Sequence, residues 1–166
     1  VSANPQPRPS GEDSEAIERA LAEIKFDRDG LVPAVAQQFD SGEILMLAWM
    51  NREAVRVSLS EGRACYWSRS RGRLWRKGET SGQVQRLCEM RLDCDGDALL
   101  LLVDQQGVAC HTGRRSCFFR SWGGEGWVVT TAPLVAPETL YPETEAPVTR
   151  AADIADGCGP EPSHRR

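Results

Sequence analysis

Every apolar run in this chain is short and stops at a turn signal, and that limits what it can fold into. Ala98 to Val103 ("ALLLLV") lies between Asp97 and Asp104. That is the length of a buried strand, far below the ~20 residues that cross a bilayer. Gln83 to Asp93 alternates: Val84, Cys88, Met90 and Leu92 share one face, and Gln85, Glu89 and Arg91 the other. That pattern places Cys88 in the core. Val32 to Phe39 and Glu43 to Trp49 read as two strands of a hairpin joined by "DSGE". Ala64 to Ser70 reads as a strand running into a basic loop, and Val108 to His111 and Cys117 to Trp122 as two more strands. "DRDG" (27–30) and "QQG" (105–107) are turns. The expected fold class is mainly β with one or two helices (α+β).

Two segments carry helical signals. Asp13 or Ser14 can cap a helix with Ile17, Leu21 and Ile24 on one face. Asn51 is placed to cap a second helix through Glu61, with Val55 and Leu59 as its buried pair and Gly62 where a left-handed terminal residue belongs. Residues 1–12 are polar and Pro-rich, a flexible tail. From residue 132 to 166 the chain turns rich in Pro, Glu, Thr and Ala, too poor in apolar residues for a second domain. One folded domain is expected over 13–131. The 166 residues, 40% of them apolar, supply one core. The N-terminus lacks the basic-then-apolar order of a secretion signal, so a cytoplasmic setting is expected, and with it thiols rather than disulfides. A net charge of −4 argues against nucleic acid or an anionic membrane as partner.

The densest chemistry lies in "LDCDGDALLLLVDQQGVACHTGRRSC" (92–117). Thiolates select zinc among common cytosolic ions, and three of them (Cys94, Cys110, Cys117) leave a fourth position for water, as in catalytic sites. Zinc brings the pKa of bound water to about 7. Carboxylates prefer harder ions, so Asp93, Asp95 and Asp97 suit Mg²⁺ bound together with a phosphorylated ligand. Aspartates beside Gly96 equally form an ordinary turn. An EF-hand is excluded, because the glycine falls at position four and strand residues follow. If 93–95 is extended, Cys94 points away from Asp93 and Asp95, and the soft and hard sites lie on opposite faces. His111 is either a fourth ligand or a general acid/base; the second role is favoured because adjacent strand residues rarely hold one ion. Cys65 reads as core. Cys158 and His164 lie in the polar tail and are assigned nothing.

"YWSRSRGRLWRKGETSG" (66–82) concentrates Arg69, Arg71, Arg73, Arg76 and Lys77 with two tryptophans and three glycines. Such a stretch can bind phosphate and stack a base. It can equally be a solvated basic face over core tryptophans, or a platform for single-stranded nucleic acid.

Taken together, Ile24-Lys25-Phe26, "DGLVPAV", "LMLAWMN", "YWSRSRGRLWRKGETSG", "DCDGD" and "ACHTGRRSCFFR" follow in order from residue 24 to 120. The set resembles the phosphoribosyl-AMP cyclohydrolase family of histidine biosynthesis. The resemblance implies hydrolytic opening of the purine N1–C6 bond of N1-(5-phosphoribosyl)-AMP, giving the phosphoribosyl-formimino-AICAR-phosphate intermediate. It implies zinc on Cys94, Cys110 and Cys117, Mg²⁺ on Asp93, Asp95 and Asp97, one of each per subunit, and proton transfer by His111. It further implies a compact, intertwined homodimer with zinc shared across the interface. Substrate contacts are expected from Ser68, Arg69, Ser70, Arg71, Trp75, Lys77, Gly78 and Ser81. A fused pyrophosphohydrolase domain, present in some relatives, is not expected here.

Overall fold

Alternation builds the sheet. A computed structural model describes residues 11–140. In β1 (Leu31–Gln38), Val32, Ala34, Ala36 and Gln38 point into the core. β2 (Ile44–Asn51) returns antiparallel, with Ala34 opposite Ala48. α2 (Arg52–Glu61) follows directly: Asn51 Oδ1 accepts from the Ala54 N–H at 2.8 Å, and Gly62, at φ +64°, closes the helix by donating to the Ser58 carbonyl. Val55 is fully buried beneath it and Leu59 partly so.

β3 (Cys65–Ser68) and β4 (Arg73–Arg76) form a hairpin, with Tyr66 opposite Trp75. β5 (Gln85–Leu92) and β6 (Leu99–Gln105) form another. β6 lies parallel to β1, from Ala34 opposite Leu99 to Gln38 opposite Val103. The sheet order is β4-β3-β2-β1-β6-β5. It curls on itself, because the chain entering β3 bonds to β5: Ala64 N–H donates to Gln85 O and Leu87 N–H to Gly62 O, both at 2.9 Å. α1 (Gly11–Glu23) lies beside α2, where Arg52 and Arg56 both reach Glu18. Leu21, Ala54 and Val55 join the strand interiors in one core. A separate hairpin, β7 (Arg120–Trp122) and β8 (Trp127–Val129), and a single turn, α3 (Pro137–Leu140), complete the described residues. The fold is therefore mainly β with helices (α+β). No helix among the described residues is long and apolar enough to cross a membrane.

Four expectations need correction. Cys88 is exposed, because the β5–β6 register slips between Leu87 and Glu89. The bulge reverses the inward face, so Gln85 and Leu87 point in before it and Met90 after it. Residues 73–76 form β4 rather than loop. Val108 to His111 is not a strand, and of 117–122 only Arg120–Trp122 is one. The first helix already runs through Asp13 and Ser14, beginning at Gly11. Within the segment that follows residue 131, Leu140 is buried. Cys158 and His164 lie outside the described residues.

Candidate metal and active site

Beyond β6 the backbone leaves the sheet and makes a tight turn around Cys110. Ala109 N–H donates to Arg115 O, Cys110 N–H to Arg114 O, and Gly113 N–H to Cys110 O, at 3.0 to 3.1 Å. His111 is exposed on this turn, and Thr112 Oγ1 lies 3.0 Å from Cys110 Sγ. Side chains, not strand partners, satisfy this stretch: Gln83 Oε1 accepts from Val108 N–H at 2.8 Å. Arg115 is the anchor. Its guanidinium donates to Gly107 O at 2.7 Å, Gln105 O at 3.2 Å and Gln38 Oε1 at 2.8 Å. Ser116 Oγ then donates to Ile44 O and Cys117 N–H to Leu45 O, both at 2.7 Å, which seats Cys117 on β2. The outer side is held by the 134–135 segment, whose two N–H groups donate to Gly113 O at 2.8 and 3.1 Å. Gly113 sits at φ +76°, and a side chain there would strike the Val135 carbonyl oxygen.

Cys110 and Cys117 face each other. Cys117 is exposed as a residue, yet burial of its thiol, reinforced by Cys110 beside it, pushes its pKa up to about 12. Two adjacent thiols resist ionising together until a cation arrives. Lys77 is buried. Burial pushes its pKa down, while the Cys117 and Cys110 thiols pull it back up.

Cys94 lies elsewhere, in the β5–β6 turn. Asp93 builds that turn: its Oδ1 accepts from the N–H groups of Gly96 and Asp97 at 2.9 Å and Ala98 at 3.1 Å. Residues 93–95 are thus not extended, and the opposite-face expectation fails. One ligand atom each from Asp93, Cys94 and Asp95 gathers within 4.8 Å, all on exposed residues. Asp97 belongs to the same carboxylate cluster, and Asp95 and Asp93 hold its carboxyl above the ordinary range. Such crowding of negative charge is what a divalent cation relieves. Cys94 does not join Cys110 and Cys117 within one chain. β6 separates them, and its seven residues span roughly 20 Å.

The basic stretch divides in two. Ser68, Arg69, Ser70 and Arg71 form the tip of the β3–β4 hairpin, where Ser68 Oγ accepts from Arg71 N–H at 3.3 Å and Arg69 lies 4.8 Å over Trp49. Trp75 is half-buried against Tyr66, at 5.7 Å between ring centroids. Lys77 and Gly78 are buried, and Ser81 shapes the next turn by accepting from Gln83 N–H. The basic run therefore offers Arg69 and Arg71 to a ligand and withdraws Lys77. Sequence reasoning missed Arg115, Thr112 and the buried chain of Tyr66, Gln85, Gln105 and Gln38 that links the hairpin to the cysteine turn at 2.6 to 3.0 Å. The position of Arg115 between the two cysteines was the available signal.

A cavity of about 140 Å³ opens beside Cys117, lined among others by Glu43, Arg115 and Phe119. Small-molecule sites run to roughly 300 Å³ or more, so one chain does not enclose a nucleotide there.

The phosphoribosyl-AMP cyclohydrolase family model matches residues 46–119. A phosphoribosyl-AMP cyclohydrolase of Rhodospirillum rubrum is 68% identical over 72% of this chain and 85% of its own length. One from Granulibacter bethesdensis is 69% identical over 71% of this chain and 93% of its own length. Matches of this identity and extent, spanning both cysteine-bearing loops and the basic hairpin, place the chain in the phosphoribosyl-AMP cyclohydrolase family, hydrolases of histidine biosynthesis.

Proposed function

We propose that this chain opens the purine ring of N1-(5-phosphoribosyl)-AMP at the N1–C6 bond, as a homodimer whose active site needs both subunits. The observation that carries this reading is the division of the thiols. Cys110 and Cys117 are paired on a rigid turn, and Cys94 is exposed at the far end of β6. A second copy can bring its own Cys94 to the pair. The donors fit zinc, because the three are soft thiols and leave one position for solvent. Bound there, zinc supplies a Lewis acid that makes water nucleophilic near neutral pH. Asp93, Asp95 and Asp97 fit Mg²⁺ and would hold the substrate phosphates through it, with Arg69, Arg71 and the Ser68 and Ser70 hydroxyls completing the grip. Trp75, Lys77, Gly78 and Ser81 support that hairpin from within.

His111, exposed beside Cys110, takes a proton from the attacking water as oxygen bonds to C6. The C6–N1 bond breaks, N1 receives that proton, the water's second proton passes to the exocyclic 6-imino nitrogen, and C6 keeps the oxygen as a carboxamide. Support for a second subunit comes from exposed apolar side chains: Trp122 and Trp127 are 63% and 66% exposed on the β7–β8 hairpin, near exposed Val128 and Val129. Contiguous apolar exposure of this kind marks an association surface. The five described cysteines are free thiols, compatible with a reducing cytoplasm.

The test is an absorbance assay of ring opening on purified protein, before and after chelation, with zinc or magnesium restored separately. Chelation abolishes turnover, and both ions together restore it. Full turnover with zinc removed would end the proposal.

A further inference from the structure

The inward row of β1 runs Val32, Ala34, Ala36 and then turns polar at Gln38, which is buried like the rest. The next two strands of the sheet repeat the change at the same end. Gln105 closes β6 and Gln85 opens β5 directly opposite it, and both are buried. A buried amide costs stability unless its hydrogen bonds are met, so each needs partners. Gln85 Nε2 donates to Gln105 Oε1 at 2.9 Å. Gln105 Nε2 donates to Gln106 O at 2.6 Å and Val108 O at 3.3 Å, on the backbone that enters the cysteine turn. Gln38 Oε1 accepts twice, from Gln105 N–H at 3.0 Å and from Arg115 Nη2 at 2.8 Å. Arg115 Nη1 donates to Gly107 O and Gln105 O, and its Nε lies 3.5 Å from Glu43 Oε2. Every side-chain partner of Arg115 therefore lies outside the loop between the two cysteines.

We propose that Gln38 is a positioning residue: acting through Arg115, it holds the turn that bears Cys110 and Cys117 in the shape that receives zinc. The inference rests on the zinc reading above. Fixing Arg115 fixes both limbs of the turn, because its own carbonyl accepts from Ala109 N–H at 3.0 Å and that of Arg114 from Cys110 N–H at 3.1 Å. Cys117 follows two residues later, seated on Leu45 O. A turn already fixed by the sheet pays less ordering entropy when an ion binds, and groups behind the ligands tune metal affinity in this way. Removing Gln38 Oε1 frees one arm of the guanidinium and leaves two donors without their acceptor. It takes nothing else away, since Gln38 Nε2 donates no hydrogen bond among the described residues.

The experiment compares wild-type protein with Gln38→Leu, Gln38→Glu and Arg115→Lys. Leucine removes the acceptor, and glutamate keeps an oxygen for both donors. Lysine keeps the charge of Arg115 without its fork of donors. Zinc affinity is read by competition with a chromophoric chelator on the full chain, at a temperature where circular dichroism shows each variant folded. Gln38→Leu and Arg115→Lys are expected to bind zinc about 10- to 100-fold more weakly, and Gln38→Glu as tightly as wild type. A merely structural role would lower the melting temperature of Gln38→Leu and leave the zinc affinity of the folded protein unmoved; that result overturns the proposal and leaves the zinc site standing. Binding by Gln38→Glu as weak as by Gln38→Leu overturns the acceptor role. If Gln38→Leu does not fold, Arg115→Lys against Gln38→Glu decides, and equal affinities overturn the proposal. Wild-type protein that takes up no zinc overturns the zinc reading and this inference with it.

Discussion

Gly62 and Gly113 share a left-handed backbone, at φ +64° and +76°, but not their surroundings. A Cβ on Gly62 meets nothing within 4 Å, whereas one on Gly113 strikes the Val135 carbonyl oxygen and comes within 3.0 Å of its carbon. Gly62→Ala therefore carries the conformational cost alone, about 1 kcal/mol. Gly113→Ala carries that cost and must also displace residues 134–135, breaking the Leu134 and Val135 N–H bonds to Gly113 O. At about 1 kcal/mol each, these bring its cost to about 3 kcal/mol. For a chain of this size 1 kcal/mol moves the melting temperature by about 3 °C, so the expected drops are about 3 °C and about 9 °C. Thermal unfolding of both variants, followed by circular dichroism at one protein concentration, measures the difference. Equal drops would show that the 134–135 segment yields freely and does not hold the Cys110 turn.

Three further outcomes are expected. Tyr66→Phe removes the hydroxyl that donates to the fully buried Gln85 Oε1 at 2.6 Å; urea unfolding should show a loss of about 2 kcal/mol, and an unmoved midpoint would contradict the buried network. His111→Ala should keep zinc by metal analysis and lose about 10²- to 10⁴-fold in turnover; unaltered turnover removes its proton-transfer role. The Arg76 guanidinium holds the Glu61 carboxyl below its usual range. Because the folded value is the depressed one, the pair stabilises fully above the unfolded value of about 4.3 and is lost as pH falls through the folded value. The gap between wild type and Glu61→Gln, about 0.5 kcal/mol for so exposed a pair, should close on acidification. Urea midpoints across pH 2–7 read it, and a gap that widens toward acid would refute the sign.

Much of the architecture was legible where the signal is local. Helix α2 could be read to both caps because Asn51 and Gly62 act on backbone groups within four residues of themselves. The β1–β2 hairpin was legible for the same reason. What stayed hidden depends on distant partners. The bulge at Cys88 is a mismatch with β6, and nothing near Cys88 announces it. β4 hides among basic residues and glycines because its partner, Tyr66 against Trp75, exists only once the hairpin closes. Val108 looks like strand, yet Gln83 and Arg115 take over its stretch of backbone from far along the chain. At the site, the ligand candidates could be named from chemistry alone. Their separation to opposite ends of β6, and the burial of Lys77, required the fold. The pleat argument for Cys94 failed because Asp93 spends its carboxylate on folding the turn.

The pairing of β1 with β6 joins segments roughly 65 positions apart, a long loop to close. As the chain leaves the ribosome, β1 through β4 can zip together while the far edge of β1 waits, open to any passing strand. The loops that carry Asp93 to Asp97 and Cys110 to Cys117 flank the latecomer β6, so neither takes its final place before that seam shuts. Its longest-range pairing thereby completes the sheet, and a nascent chain arrested before it would expose an open strand edge.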